Sequence, residues 1–284
     1  MKREDLLHPE VSGNKFRKLK YNLKNAIFEG HYTILTFGGA FSNHIAATAA
    51  AGRACELQTI GVIRGEELGL DLSKTLRENP TLAFAASCGM RFEFVTRSDY
   101  REKASAEFLQ RLRKKFGDFY TVPEGGTNEF AVKGCEEILS EEDKEFYVIC
   151  CAMGTGGTIS GIINASEEKQ KVLGFPALKG DFLKAEVEHF SRKNNWEVIP
   201  NYHFGGYAKV DRDLIDFINS FKKNYGIQLD PVYTGKMMYA IFDMIQKGQF
   251  SKNSRILAIH TGGLQGIAGM NKRLKNKDLP QIEF

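Results

Sequence analysis

The stretch Phe146-Tyr147-Val148-Ile149-Cys150-Cys151-Ala152-Met153-Gly154-Thr155-Gly156-Gly157-Thr158-Ile159-Ser160-Gly161 passes from an apolar run through a glycine-rich turn into the start of a helix. Strand, tight turn and helix in that order form the unit from which parallel α/β sheets are built. Glycines at 154, 156 and 157, set among Thr155 and Thr158, let backbone amides curl around an anion at the helix start. The turn is not a dinucleotide fingerprint, because Ile159 stands where the third glycine of G-x-G-x-x-G belongs, and no Gly-Lys-Ser/Thr follows to make a P-loop. A phosphate outside ATP or NAD is the anion that remains; a turn made glycine-rich only for close packing is the plain structural alternative.

Outward from this stretch the same arrangement recurs. Apolar runs predict strands at 33–37, 57–63, 91–95, 120–122, 146–150, 172–175 and 255–259, with helices between them. From Phe16 the apolar positions Leu19, Leu23 and Ile27 keep to one helical face and stop at Gly30, which puts Lys15 at a helix start. The expected class is α/β, with mainly parallel sheets and helices on both faces. No Pro/Ser-rich linker or repeat divides the chain. A second domain is therefore expected to be threaded through the first, with crossings near Lys18 and near Pro123-Glu124-Gly125-Gly126.

Two more turns have the strand-to-helix form. Gly38-Gly39-Ala40-Phe41-Ser42-Asn43-His44 opens an alanine-rich helix that Ser42 or Asn43 is able to cap, so the turn suits either a carboxylate or phosphate or simple capping. His260-Thr261-Gly262-Gly263-Leu264-Gln265-Gly266 repeats the form near the C-terminus. Three such turns belong on the carboxyl edge of a parallel sheet, where open α/β sheets bind ligands.

Composition narrows the classes. Thirty-nine basic against 35 acidic residues, spread along 284, leave no basic stripe for nucleic acid. Five cysteines at irregular spacings make neither a disulfide framework nor a C-x-x-C clamp, so reduced thiols in a cytoplasmic protein are expected. No signal-like or membrane-spanning apolar run occurs. The six histidines form no H-x-x-x-H pair or His/Cys cluster, and no metal site is expected.

Lys2-Arg3-Glu4-Asp5, Ser12-Gly13-Asn14-Lys15-Phe16-Arg17-Lys18-Leu19, the 38–44 turn, Pro123-Glu124-Gly125-Gly126-Thr127-Asn128, the 154–161 turn, Asp230-Pro231-Val232-Tyr233-Thr234-Gly235-Lys236 and His260-Thr261-Gly262-Gly263 occur in that order. Together they resemble the 1-aminocyclopropane-1-carboxylate (ACC) deaminase and D-cysteine desulfhydrase family, enzymes that depend on pyridoxal 5'-phosphate and share the tryptophan synthase β-like fold. The resemblance implies two three-layer α/β/α domains, a larger one from 1–17 and 126–284 and a smaller inserted one from 18–125. It implies that Lys15 carries the cofactor, that Gly154, Thr155, Gly156, Gly157 and Thr158 cradle its phosphate, and that Asn43 lies beside its phenolic oxygen. Ser42 with the amides of Asn43 and His44 resembles the substrate-carboxylate site, and Tyr233 and Tyr207 resemble the two active-site tyrosines. A small amino-acid substrate and a homodimer follow from the same likeness. Members of the family carry a few dozen residues ahead of Lys-Arg-Glu-Asp, with a strand and a loop near the cofactor. The resemblance thus implies either a start assigned too late or a site lacking one wall.

Two positions bear on the substrate. Ring-opening members resemble one another in Glu after the Asp-Pro-Val-Tyr tyrosine and Leu after the late histidine, where desulfhydrase-like members carry small hydroxyl residues; here the positions hold Thr234 and Thr261. A hydroxyl near the pyridine nitrogen supplies no negative charge, so the ring is a milder electron sink. The expected activity is β-elimination of the D-cysteine type, giving pyruvate, ammonia and sulfide. ACC deamination to 2-oxobutyrate and ammonia, racemisation, and a non-catalytic binding role are the alternatives in that order.

Overall fold

The computed structural model describes residues 1–180 and 182–284. Its strands are β1 (Lys2–Arg3), β2 (Thr33–Gly39), β3 (Gln58–Arg64), β4 (Arg91–Val95), β5 (Tyr120–Val122), β6 (Val148–Met153), β7 (Lys171–Pro176), β8 (Trp196–Val198) and β9 (Ile256–His260). They form two sheets, β4-β3-β2-β5 and β1-β9-β6-β7-β8, and every pairing is parallel. Continuous Val/Ile/Leu/Phe runs are what parallel strands need, because helices cover both of their faces.

The helices are α1 (Asn14–Phe28), α2 (Asn43–Ala54), α3 (Leu72–Glu78), α4 (Pro80–Ser87), α5 (Arg97–Arg101), α6 (Ala106–Phe116), α7 (Glu129–Glu136), α8 (Gly157–Ala165), α9 (Phe182–Phe190), α10 (Arg212–Tyr225), α11 (Thr234–Gln246) and α12 (Gly266–Lys275). Alternation along β6 shows how they sandwich the five-stranded sheet. Cys150 and Ala152 pack with Leu214, Met237 and Ile267 of α10, α11 and α12, while Ile149, Cys151 and Met153 pack with Cys135, Ile162 and Val187 of α7, α8 and α9. In the four-stranded sheet Ile34 and Ile63 face Leu23, Ala47 and Leu82 of α1, α2 and α4, and Leu35 and Ile60 face Phe108 and Leu112 of α6.

Three departures from the sequence reading have simple causes. β2 runs on through Gly38 and Gly39, which stay paired with Ile63 and Arg64 after the apolar signal has ended. β1 and β8 carry little apolar signal; β1 is a two-residue pairing of Lys2 with Ile259 and of Arg3 with His260. The buried face of α1 is Lys18, Leu19, Asn22, Leu23 and Ala26, whereas Ile27 is 53 % exposed, so the stripe is rotated and includes a lysine and an asparagine. Among the described residues no helix is long and apolar enough to cross a membrane.

Candidate active site

Lys15 is set by the entry into α1. Gly13 takes φ +61° against the backbone of Thr261, and the Asn14 amide donates to the Thr261 carbonyl at 3.1 Å. Asn14 Nδ2 donates to Thr158 Oγ1 at 2.8 Å, tying the same turn to the start of α8. Arg17, two residues on, is held by the buried Glu4 carboxylate at 2.9 and 3.2 Å, and Asp5 lies 3.2 Å from His260 Nδ1. The Lys2-Arg3-Glu4-Asp5 segment is thus the brace that pins α1 to the edge of β9.

Lys15 is half-buried and makes no hydrogen bond among the described residues. Burial, then the charge of Lys18 one turn along, lowers its ammonium to a pKa of about 7, with Cys135 opposing the shift weakly. An amine that is neutral near pH 7 is a nucleophile and a base, which an ordinary surface lysine is not.

Lys18 is the residue that sequence reasoning missed. It is 2 % exposed, and its Nζ donates to Gly125 O at 3.0 Å, Thr127 Oγ1 at 2.8 Å and Thr155 Oγ1 at 3.3 Å. Burial lowers its pKa, and no carboxylate pairs with it among the described residues. Thr127 and Thr155 are themselves hydrogen-bonded at 2.5 Å. A buried, unpaired ammonium beside the 154–158 turn asks for an anion. The signal was present in the sequence only as a lysine falling on the apolar face of α1.

The other turns converge on the same place. Ser42 caps α2, its Oγ accepting from the Ile45 amide at 3.4 Å, while the amides of Asn43 and His44 have no acceptor among the described residues. Asn43 Oδ1 and His44 Nδ1 are buried without partners. His44 Nε2 pairs with Thr36 Oγ1 at 2.8 Å, and burial, then the charges of Lys15 and Lys18, push its pKa well down, so the ring is neutral. Gly263 lies against Asn43 and Asp230, which brings the third turn to this site. His260 is buried and satisfied, with Nε2 2.7 Å from Gln228 O, and is structural.

Tyr233 precedes α11 and its ring lies along Gly154, where an added Cβ would meet Cε1 at 3.0 Å. Tyr207, 50 % exposed, stands edge-on to it with ring centres 6.4 Å apart. Thr234 is fully buried; its hydroxyl donates to Asp230 Oδ1 at 2.7 Å and accepts from the Asp230 amide at 2.9 Å. The Asp230 carboxylate also accepts from the amides of Val232, Tyr233 and Thr234 at 2.7–2.9 Å. Thr261 is buried beside Gly13, and its hydroxyl makes no hydrogen bond among the described residues.

A lysine poised near pH 7, a buried cationic cradle and two free helix starts now have a match. The sequence model of the family described as "Pyridoxal-phosphate dependent enzyme" fits residues 1–262. The chain belongs to that family. It is 31 % identical over 292 residues to the mitochondrial bifunctional D-cysteine desulfhydrase/ACC deaminase of Arabidopsis thaliana, covering 94 % of this chain and 72 % of the relative. The D-cysteine desulfhydrase of Klebsiella pneumoniae is 25 % identical over 307 residues, covering 96 % and 89 %. A solved structure of an ACC deaminase homologue superposes with a TM-score of 0.80 at 28 % identity, covering 96 % of this chain and 87 % of the other. This member is accordingly a pyridoxal-phosphate dependent enzyme of that fold, related to proteins named for both activities.

Proposed function

We propose that the chain catalyses β-elimination of a small amino acid, D-cysteine in preference to ACC, giving pyruvate, ammonia and sulfide. The observation that carries the preference is the state of Asp230 and Thr234. The Asp230 carboxylate, which lies against Gly263, is saturated by three amides and a hydroxyl, and position 234 contributes only that hydroxyl. Neither offers free negative charge to hold a proton on a pyridine nitrogen, which suits departure of a thiolate better than ring opening.

The residues present fit the cofactor. Lys15 would hold it covalently. The amides of Thr155, Gly156, Gly157 and Thr158, unpaired among the described residues, would take its phosphate together with the Lys18 ammonium, and Asn43 would lie beside its phenolic oxygen with the Nδ2 amide as donor. Thr261, with its free hydroxyl, and Thr234 would lie toward the ring nitrogen. When bound, pyridoxal phosphate supplies an electron sink next to the substrate Cα.

The chain's own groups would do the rest. The Ser42 hydroxyl and the amides of Asn43 and His44 bind the carboxylate of the amino acid at the start of α2, where the helix dipole favours an anion. Lys15 Nζ, whose burial favours the neutral amine, takes the Cα proton. Burial, then Tyr207 and Asp230, raise the Tyr233 phenol well above its ordinary pKa, so it keeps a proton at Oη to give the departing Cβ substituent. Incubation of the purified enzyme with D-cysteine, L-cysteine and ACC, read as sulfide, pyruvate and 2-oxobutyrate, tests the reading: sulfide with pyruvate from D-cysteine is expected, and 2-oxobutyrate from ACC as the main product refutes the preference.

A further inference from the structure

A second buried lysine lies outside the cofactor cradle. Lys236, third residue of α11, is 2 % exposed, and its Nζ donates to three backbone carbonyls: Gly206 at 2.8 Å, His203 at 2.9 Å and Ala177 at 3.4 Å. No carboxylate pairs with it among the described residues. Three N–H donors meeting three carbonyl oxygens reproduce the way backbone oxygens hold a small monovalent cation stripped of water.

Two of the carbonyls, His203 and Gly206, belong to a turn with a strained backbone. Phe204 and Ala208 have φ +52°, a left-handed backbone that residues with a Cβ seldom adopt, and Gly205 and Gly206 stand between them at +88° and +119°. The amides of Gly206 and Lys209 use the His203 and Gly206 carbonyls, but neither bond ties the turn to the rest of the molecule. Lys236 does, because its backbone is in the first turn of α11 and its Nζ reaches the turn and the Ala177 carbonyl after β7. The Phe204 ring adds an edge contact to Tyr239, with centres 5.0 Å apart, on the same helix. Tyr207 sits inside this turn, and Tyr233 immediately precedes α11.

We propose that Lys236 is a positioning residue: its ammonium fixes the 203–208 turn on α11 and thereby sets Tyr207 against Tyr233 at the mouth of the active site. The assignment rests on the reading of those tyrosines as active-site groups, but the anchoring itself does not. Burial holds Lys236 at a pKa of about 8, with Asp230 and Asp211 opposing, so the ammonium is present at neutral pH.

The test is hydrogen exchange across residues 199–210 in the full-length protein, with and without pyridoxal phosphate. Lys236→Met, which keeps the stem and removes the donors, is expected to speed exchange in that segment at least tenfold while the two sheets and cofactor absorbance are unchanged. In Lys236→Ala, propylammonium has the carbons and the charge that were removed, and is expected to restore protection where neutral propanol does not. Unchanged exchange in 199–210, faster exchange throughout both sheets, or equal rescue by propanol each overturns the anchoring role. In turnover, Lys236→Met combined with Tyr207→Phe is expected to be no slower than Lys236→Met alone; losses that multiply overturn the route through Tyr207. An enzyme that turns over neither D-cysteine nor ACC defeats the proposed reaction, and the exchange rates then decide the anchoring role of Lys236 on their own.

Discussion

The carbonyl oxygen of Thr261 lies 2.0 Å from where a Cβ on Gly13 would stand, so the helix that carries Lys15 can begin only by pressing bare backbone onto the 260–263 turn. Gly13 also has ψ −141° with its positive φ, a region that residues with a side chain essentially do not occupy. Gly13→Ala therefore adds strain and overpacking at once, about 2–5 kcal/mol together. The expected result is a lower Tm and loss of the absorbance of lysine-bound cofactor, because relief of the clash moves Lys15. A variant that loads cofactor normally would show that the α1 entry has slack the close contact denies.

With Lys15 as the proposed cofactor lysine, its lowered pKa predicts pH-dependent loading. Attack on the cofactor's aldehyde needs the neutral amine, so the loading rate should climb with pH through about 7 and flatten by about 8.5. The linked stability has a definite sign. Between about 7 and the ordinary 10.5, folded Lys15 has released a proton that the unfolded chain still binds, so cofactor-free protein gains stability as pH rises across that window. Lys18 and Lys236, also lowered by burial, add to the same slope. Lys15→Ala should abolish loading and flatten the slope by up to one proton, as read by denaturant titrations at pH 7, 8 and 9.

Lys18 explains why part of the site was legible and part was not. Apolar runs such as Val148–Met153 announced the strands because both of their faces are buried, and the glycine-rich turns announced the helix starts of α2 and α8. Lys15 became visible only through its neighbours in a familiar motif, since a lysine by itself is a surface residue far more often than a buried one. Lys18 stood in that motif and was passed over, because its partners Thr127 and Thr155 lie 109 and 137 positions away and nothing local marks a buried cation. The same limit hid Lys236, whose three carbonyl partners are 30 to 59 positions distant. Short strands fail for another reason: β1 is defined by pairing with β9 and not by its own polar residues.

Lys18→Met should separate cofactor affinity from folding. When the ammonium exchanges its longest contact, Thr155 Oγ1 at 3.3 Å, for the phosphate, the charge-assisted hydrogen bond contributes about 1.5–3 kcal/mol at most, so the Kd for pyridoxal phosphate should rise by up to roughly 10- to 150-fold in the variant. The cofactor-free protein should lose little stability, because the variant also removes a desolvated, unpaired ammonium. Equal affinity in both proteins, measured by fluorescence titration, would refute the phosphate role and leave Lys18 as a pin for Thr127 and Thr155.

The proton that Tyr233 holds is best tested by changing what leaves. Tyr233→Phe removes the proposed acid but keeps the ring against Gly154, so cofactor affinity should stay within about threefold of wild type, while kcat for sulfide release from D-cysteine should fall roughly 10²- to 10⁴-fold, the usual range for a lost general acid. Chloride departs without a proton, whereas a thiolate, with a conjugate-acid pKa of about 8.5, gains from one. Turnover of 3-chloro-D-alanine by Tyr233→Phe should therefore be nearly that of the wild type. Tyr207, half in solvent, can be replaced by water as a donor, so Tyr207→Phe should cost less with either substrate. If Tyr233→Phe slows both leaving groups equally, Tyr233 acts by packing on the 154–158 turn and the proton comes from elsewhere, with Lys15 Nζ, already protonated by the Cα step, the group in hand to supply it.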